Sequence, residues 1–195
     1  MSLKKEIKRS FTKVEDYIIR NNYFNEDECK KLVRLCKLQK WSPHEWYQSQ
    51  TDTATPGNTD CQVADVEINF KTTLEPVLER ALQEYQDAVT TDAKQKRFIS
   101  KITPIRLNKY GKGRDMREHY DHISSIFKGT DRGIPILSII GLLNDDFEGG
   151  ELYINNKPVD FKKGDILIFP SNFMYPHEVK PITKGERYSY VAWAF

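Results

Sequence analysis

The stretch PILSIIGLLNDDFEGGELYINNKPVDFKKGDILIFPSNFMYPHEVK, residues 135–180, decides how this chain folds. Its apolar runs are short, rich in β-branched and aromatic residues, and cut every few positions by glycine, proline, asparagine or aspartate. That texture belongs to strands joined by tight turns. Gly149-Gly150 and Lys163-Gly164-Asp165 read as turns and not as phosphate loops, because no phosphate-loop lysine pattern or following helix accompanies them. The same texture begins after Lys96 and continues to the end. It predicts short strands in FISKITPIRLNKY, REHYDHIS, PILSIIGLLN, GELYIN, KPVDF, DILIFP, HEVK and RYSYVAWAF.

Upstream the period changes from two to between three and four. Asn25 to about Lys37 (NEDECKKLVRLCK) predicts a helix: Asn25 can cap, three acids follow at the positive end, and lysines gather later. Cys29, Leu32, Val33 and Cys36 form one buried stripe of it, not a redox or metal pair. From Thr73 to about Thr90 a second helix carries Leu74, Val77, Leu78, Ala81, Leu82, Tyr85, Ala88 and Val89 on a wide apolar face, for which a sheet is the expected partner. Trp41 to Ala64 is polar and aperiodic and reads as a long exposed loop with short extended pieces, with Cys61 alone in it and His44 exposed and incidental. The expectation is a mainly β fold with flanking helices, a sandwich or barrel buttressed on one side. Residues 1–195 then form a single domain, with helical support over about 1–95 and the β core over about 96–195.

Thirty basic and 28 acidic side chains leave a formal charge of +2, which supplies no global field toward nucleic acid or a membrane surface. No run approaches the roughly 18 apolar residues of a membrane span, and no apolar segment follows the charged N-terminal stretch. Three cysteines without a CxxC pattern suit a reducing compartment. These features predict a soluble, cytoplasmic protein with no membrane partner; oligomeric state is not legible.

The chemistry-bearing residues are His119, Asp121, His177 and Arg187. On a strand His119 and Asp121 share one face, whereas Glu118 and His122 do not fall on it. His177, after the apolar strand DILIF and a proline-containing turn, brings a third donor from a later strand. Two imidazoles and one carboxylate can hold Fe(II) on one face of its octahedron and leave positions open; zinc accepts the same ligand types. In RYSYVAWAF alternation puts Arg187, Ser189, Val191 and Trp193 on one face and Tyr188, Tyr190, Ala192 and Ala194 on the other. Pairing of this strand with HEVK through the PITKGE turn would bring Arg187 near His177, where its guanidinium could clamp a carboxylate bidentately.

Four ordered blocks, YGKGRDMREHYDH, SIIGLLNDDFEGGELYI, FKKGDILIFPSNFMYPHEV and GERYSYVAWAF, resemble the iron- and 2-oxoglutarate-dependent dioxygenases, specifically the prolyl 4-hydroxylase-like branch. The resemblance covers about Ile105 to Phe195. It implies a double-stranded β-helix, or jelly-roll, core with the metal inside one open end. It further implies that His119, Asp121 and His177 bind Fe(II), that Arg187 pairs with the distal carboxylate of 2-oxoglutarate, and that Tyr110 helps hold this co-substrate. Trp193 would line the same cavity. The implied reaction consumes O2, converts 2-oxoglutarate to succinate and CO2, and hydroxylates an aliphatic carbon, with ascorbate as a candidate reductant. Leu142 stands where some relatives carry a tyrosine that also contacts the distal carboxylate, which leaves Ser138 and Tyr153 as candidate substitutes.

A prolyl residue in a peptide or protein is the expected substrate, by analogy at the level of the fold. Alternatives are the same chemistry on a free amino acid or an alkylated nucleobase, or a non-oxidative cupin-like metal-binding module. Nucleobase-repair relatives carry a second arginine six residues after the first, where this chain has Trp193, so nucleic acid is a disfavoured partner. The loops Trp41 to Ala64 and His122 to Gly133 are expected to form the substrate lip, with Trp46, Tyr47 and Arg132 foremost.

Overall fold

A computed structural model of the chain describes residues 11–48, 51, 53–66, 68–90, 98–121 and 135–195. A 3-10 turn at Val14–Tyr17 leads into β1 (Ile19–Asn22) and then α1 (Glu26–Cys36). The Asn25 side chain accepts from the backbone N–H groups of Asp27 and Glu28, and the Glu28 carboxylate returns a bond to the Asn25 N–H. This reciprocal cap satisfies donors that the first helical turn leaves free. Cys29, Leu32 and Cys36 face inward as the stripe predicts.

Residues 41–64, expected to be a long exposed loop with short extended pieces, are largely extended and paired. They form β2 (Ser42–Pro43), the hairpin of β3 (Glu45–Gln48) with β4 (Thr53–Pro56), and β5 (Gln62–Asp65). Polar strands at a sheet edge have no apolar alternation to announce their partners, so the pairing is not legible from pattern. His44 and Cys61 are buried, contrary to expectation. α2 (Ile68–Val89) begins five residues before the predicted start, and Phe70 joins its buried face. Pro76 lies inside the helix.

The remaining strands are β6 (Arg106–Tyr110), β7 (Met116–His119), β8 (Leu137–Leu142), β9 (Glu148–Gly149), β10 (Leu152–Ile154), β11 (Lys157–Pro158), β12 (Asp165–Pro170), β13 (His177–Val179), β14 (Ile182–Lys184) and β15 (Arg187–Ala194). The major sheet runs β1-β12-β8-β15-β6-β5-β2 and the minor sheet β11-β10-β13-β7, with β14–β9 and β3–β4 as separate pairs. Neighbours in both sheets are antiparallel. This is the jelly-roll type of architecture, mostly β with two α-helices among the described residues.

Alternation along the central strands divides the interior in two. Leu107, Ile139, Ile166, Ile168, Tyr190 and Ala192 face a core shared with Leu32, Leu74 and Leu78 of the helices. Tyr110, Ile140, Leu167, Phe169, Val191 and Trp193 face the minor sheet, together with Leu152 and Val179. All of β15 is buried because both faces are covered. Its inward pattern matches the predicted split, but its partners do not. β15 pairs with β8 and β6, not with β13, so Arg187 and His177 approach from opposing sheets across the second core.

Candidate metal centre and co-substrate pocket

His119 ends β7 and His177 begins β13, and the two residues are directly opposed in the antiparallel register. Asp121 follows two residues beyond β7. Its Oδ1 lies 3.6 Å from His119 Nε2 and its Oδ2 lies 3.6 Å from His177 Nε2. One ligand atom from each of the three residues falls within 4.8 Å of the others. The tautomers follow from the outer contacts. His119 Nδ1 is 2.7 Å from the Arg117 carbonyl and His177 Nδ1 is 3.1 Å from the Tyr175 carbonyl. A carbonyl can only accept, so each Nδ1 carries the proton and each Nε2 presents a lone pair to the common centre. Backbone acceptors of this kind hold a metal-binding imidazole in orientation.

Asp121 is held from behind. Ser138 Oγ donates to its Oδ2 at 2.7 Å, Ser138 and Ser171 hydroxyls are 2.8 Å apart, and the Trp193 side chain adds a further hydrogen bond. Burial alone would raise this carboxyl, but the two facing imidazoles and these donors outweigh it and hold the pKa below the ordinary value. Burial, aided by the neighbouring His177, pushes His119 down from 6.5 to about 4. His119 is therefore a neutral nitrogen donor and Asp121 a carboxylate near neutral pH, the protonation state in which each can hold a divalent cation.

A pH dependence of the metal-free protein follows. The unfolded chain takes up a proton at the His119 position near pH 6.5, whereas the folded chain resists until about pH 4. Stability from the neutral imidazole is thus complete above the unfolded pKa and is lost as pH falls through this window. Urea unfolding should show a loss of about 1–2 kcal/mol between pH 7 and pH 5 from this residue. His44, also held down by burial, adds in the same direction. His119→Gln should flatten the dependence, and an unchanged slope in that variant would contradict the assignment.

At the deeper end of the cavity Arg187 is 1 % exposed, and its guanidinium carbon lies 5.0 Å from the centre of the Tyr110 ring. The two residues are direct partners across β15 and β6. One terminal nitrogen donates to Ser189 Oγ at 2.9 Å, and the buried Nε has no partner. Among the described residues no carboxylate pairs with this cation, and burial pulls its pKa down. A buried, uncompensated guanidinium costs several kcal/mol and is met where an anion completes the charge balance. The Tyr110 hydroxyl is bonded to Cys61, and burial raises both groups, the thiol to about 11.

One cavity joins the two ends. Its wall includes all six residues singled out in the sequence, His119, Asp121, His177, Arg187, Tyr110 and Trp193. The donor set suits iron, and the orphaned Arg187 suits the far carboxylate of a dicarboxylic acid. Ser138 and Tyr153 do not assist Arg187: Ser138 serves Asp121, and Tyr153 faces outward beneath Lys180. Ser189 is the contact the sequence reading missed, although its shared face with Arg187 could have revealed it. Arg106 and Asn108, which also line the cavity, carried no sequence signal beyond alternation with Tyr110. Trp46 stands over the metal end, its ring 5.3 Å from that of His119, so the β3–β4 hairpin does border the site. His122, Arg132, the 122–133 lip and the side chain of Tyr47 lie outside the described residues. No helix of the described residues is long and apolar enough to cross a membrane.

Residues 105–195 match the sequence profile of the 2OG-Fe(II) oxygenase superfamily. A PKHD-type hydroxylase of Idiomarina loihiensis is 30% identical over 112 residues, covering 55% of this chain and 48% of that protein. Another from Rhizorhabdus wittichii is 33% identical over 100 residues, 48% of this chain and 43% of the relative. The chain thus spans about half the length of the curated relatives it matches. Among solved structures, a Trichoplax adhaerens prolyl hydroxylase in complex with a hypoxia inducible factor peptide fragment superposes with a TM-score of 0.64 at 19% identity. That alignment covers 91% of this chain and 83% of that one. A Pseudomonas putida prolyl-4-hydroxylase gives 0.60 at 20% identity, with 91% of each chain covered. At these identities the structural likeness speaks to the fold, which is the one described above. Residues 105–195, which contribute every residue lining the cavity, thus carry the sequence profile of the 2OG-Fe(II) oxygenase superfamily on a fold shared with solved prolyl hydroxylases.

Proposed function

We propose that this chain is an Fe(II)- and 2-oxoglutarate-dependent hydroxylase of an aliphatic carbon, and that the carbon belongs to a prolyl residue of a peptide or protein. The observation that carries the reading is the pairing, in one cavity, of the His119–Asp121–His177 cluster with the buried uncompensated cation of Arg187. The Nε2 atoms of both histidines and the Asp121 carboxylate would hold the metal. Arg187, with Ser189 and Tyr110 beside it, would hold the distal carboxylate of the co-substrate. Bound together, iron and 2-oxoglutarate supply oxidative decarboxylation coupled to insertion of one oxygen from O2 into a C–H bond.

The chain's own contribution is positional. Ser138 and Trp193 orient the Asp121 carboxylate, while the Arg117 and Tyr175 carbonyls hold the imidazole tautomers. Met116, Ile140, Leu152, Val179 and Val191 give the cavity apolar walls that keep water from the reacting centre. The peptide substrate is supported by the prolyl hydroxylase neighbours and by the exposed Tyr120, Phe173 and Met174 that follow or precede the metal-binding strands. Ascorbate as reductant and residues 1–195 as one catalytic domain complete the proposal. Incubation with Fe(II), 2-oxoglutarate, O2, ascorbate and a proline-containing peptide library should release succinate and add about 16 Da, one oxygen, to particular peptides. Succinate release without any peptide gaining oxygen would remove the prolyl assignment, and absence of succinate would remove the chemistry.

A further inference from the structure

The cavity holds a second arginine that the reaction as described does not use. Arg106 begins β6, two and four residues before Asn108 and Tyr110 on the same inward face. Its guanidinium carbon sits 5.0 Å from the centre of the Trp193 ring, whose side chain bonds to Asp121. The planar fork of donors on a guanidinium matches a carboxylate bidentately. Its buried Nε has no partner, and the Oδ1 of neighbouring Asn108 is likewise unpaired. Asp65, its direct partner across β5 and β6, is exposed and makes no ion pair with it. Asp60, the buried acid on the hairpin side, is engaged by the His44 ring and the Trp46 indole.

The two arginines sit over different rings, Arg106 over Trp193 and Arg187 over Tyr110. Four residues of β6 separate Arg106 from the Tyr110 that Arg187 covers, roughly 13 Å along a strand. If 2-oxoglutarate spans from Arg187 to the metal, both of its carboxylates are engaged. Charge points the same way. The described cavity wall carries Arg106 and Arg187 against Asp121, and a divalent metal with a dianionic co-substrate adds no net charge. One positive charge remains uncompensated, and it lies at the metal end, where a substrate carbon must be presented.

We propose that Arg106 forms a second carboxylate subsite, which binds an acidic group carried by the substrate close to the carbon that is oxidised. This rests on the hydroxylase reading above and deepens it: the substrate is an acidic peptide or a chain-terminal carboxylate, not a neutral segment. The Trp193 ring beside it and the apolar Val191 opposite in the β15 register keep the guanidinium partly desolvated, which strengthens its hydrogen bonds to such a group.

The test uses protein loaded with Mn(II) and 2-oxoglutarate, which binds without turnover, and calorimetric titration with three N-acetylated probes. These are Ala-Pro-Ala amide, the same tripeptide with a free carboxylate, and Ala-Pro-Glu amide. Either acidic probe should bind about 10- to 100-fold more tightly than the neutral amide, and the stronger of the two identifies a terminal or a side-chain carboxylate as the source. Arg106→Gln should abolish that preference while the neutral probe binds as before. Equal affinity of all three probes for the wild type, including none binding, overturns the proposal without reference to any variant. An Arg106→Gln loss shared by acidic and neutral probes also overturns it, because Arg106 would then merely support Trp193. Weakening of 2-oxoglutarate by that variant as large as the loss of the acidic probe assigns Arg106 to the co-substrate instead. Failure of wild-type protein to bind 2-oxoglutarate at all would reject the underlying hydroxylase reading, an outcome separate from any probe preference.

Discussion

Replacing His177 with alanine is expected to abolish succinate formation and to weaken metal binding by more than about a hundredfold, since loss of an outer hydrogen-bond partner alone typically costs 10- to 100-fold. The residue is 6 % exposed, opposes His119 across the β7–β13 register, and points its Nε2 at Asp121 Oδ2. Its ring also packs edge-on against Phe169 at 5.1 Å, so truncation leaves a small cavity as well as a missing ligand. His177→Gln keeps much of the volume and separates the two effects. Metal titration of both variants, monitored by thermal unfolding, should show a rise in Tm on adding Mn(II) in the wild type and almost none in either variant. A wild-type metal response in His177→Gln would place the metal elsewhere.

Arg187→Met should move stability and function in opposite directions. The native guanidinium is buried, its Nε is unpaired, and no described carboxylate balances it. An apolar side chain of similar length removes that desolvation cost, and the free protein should gain about 1–3 kcal/mol in urea unfolding. The same change removes charge-assisted hydrogen bonds to the co-substrate, so 2-oxoglutarate should bind at least about 100-fold more weakly. Loss of stability on this substitution would mean that Arg187 already has its full complement of partners and is a structural cation.

Much of this site was legible because strand parity is rigid. The split of RYSYVAWAF into an inward Arg187, Ser189, Val191, Trp193 set and a helix-facing Tyr188, Tyr190, Ala192, Ala194 set reappears in the two cores. The same parity chose His119 and Asp121 over Glu118. The strand partners of β15 were not legible, because alternation says which way a side chain points and nothing about the neighbouring strand. Arg187 and His177 meet across a sandwich, not along a hairpin. In residues 41–64 the short extended pieces were legible, but their pairing and the burial beneath them were not. Their strands sit at a polar edge, and the burial of His44, Asp60 and Cys61 depends on contacts with residues far along the chain. Arg106 was invisible for a related reason, since a lone arginine on a strand reads as a solvated cation until Trp193 is seen beneath it.

The most direct measurement of the central claim is calorimetric titration of 2-oxoglutarate into the wild-type protein with and without Mn(II). One site is expected per chain, filled only when metal is present, because under the proposed function a metal on the triad and Arg187 would grip opposite ends of the same molecule. Binding of equal strength without metal, or none with it, would contradict the account.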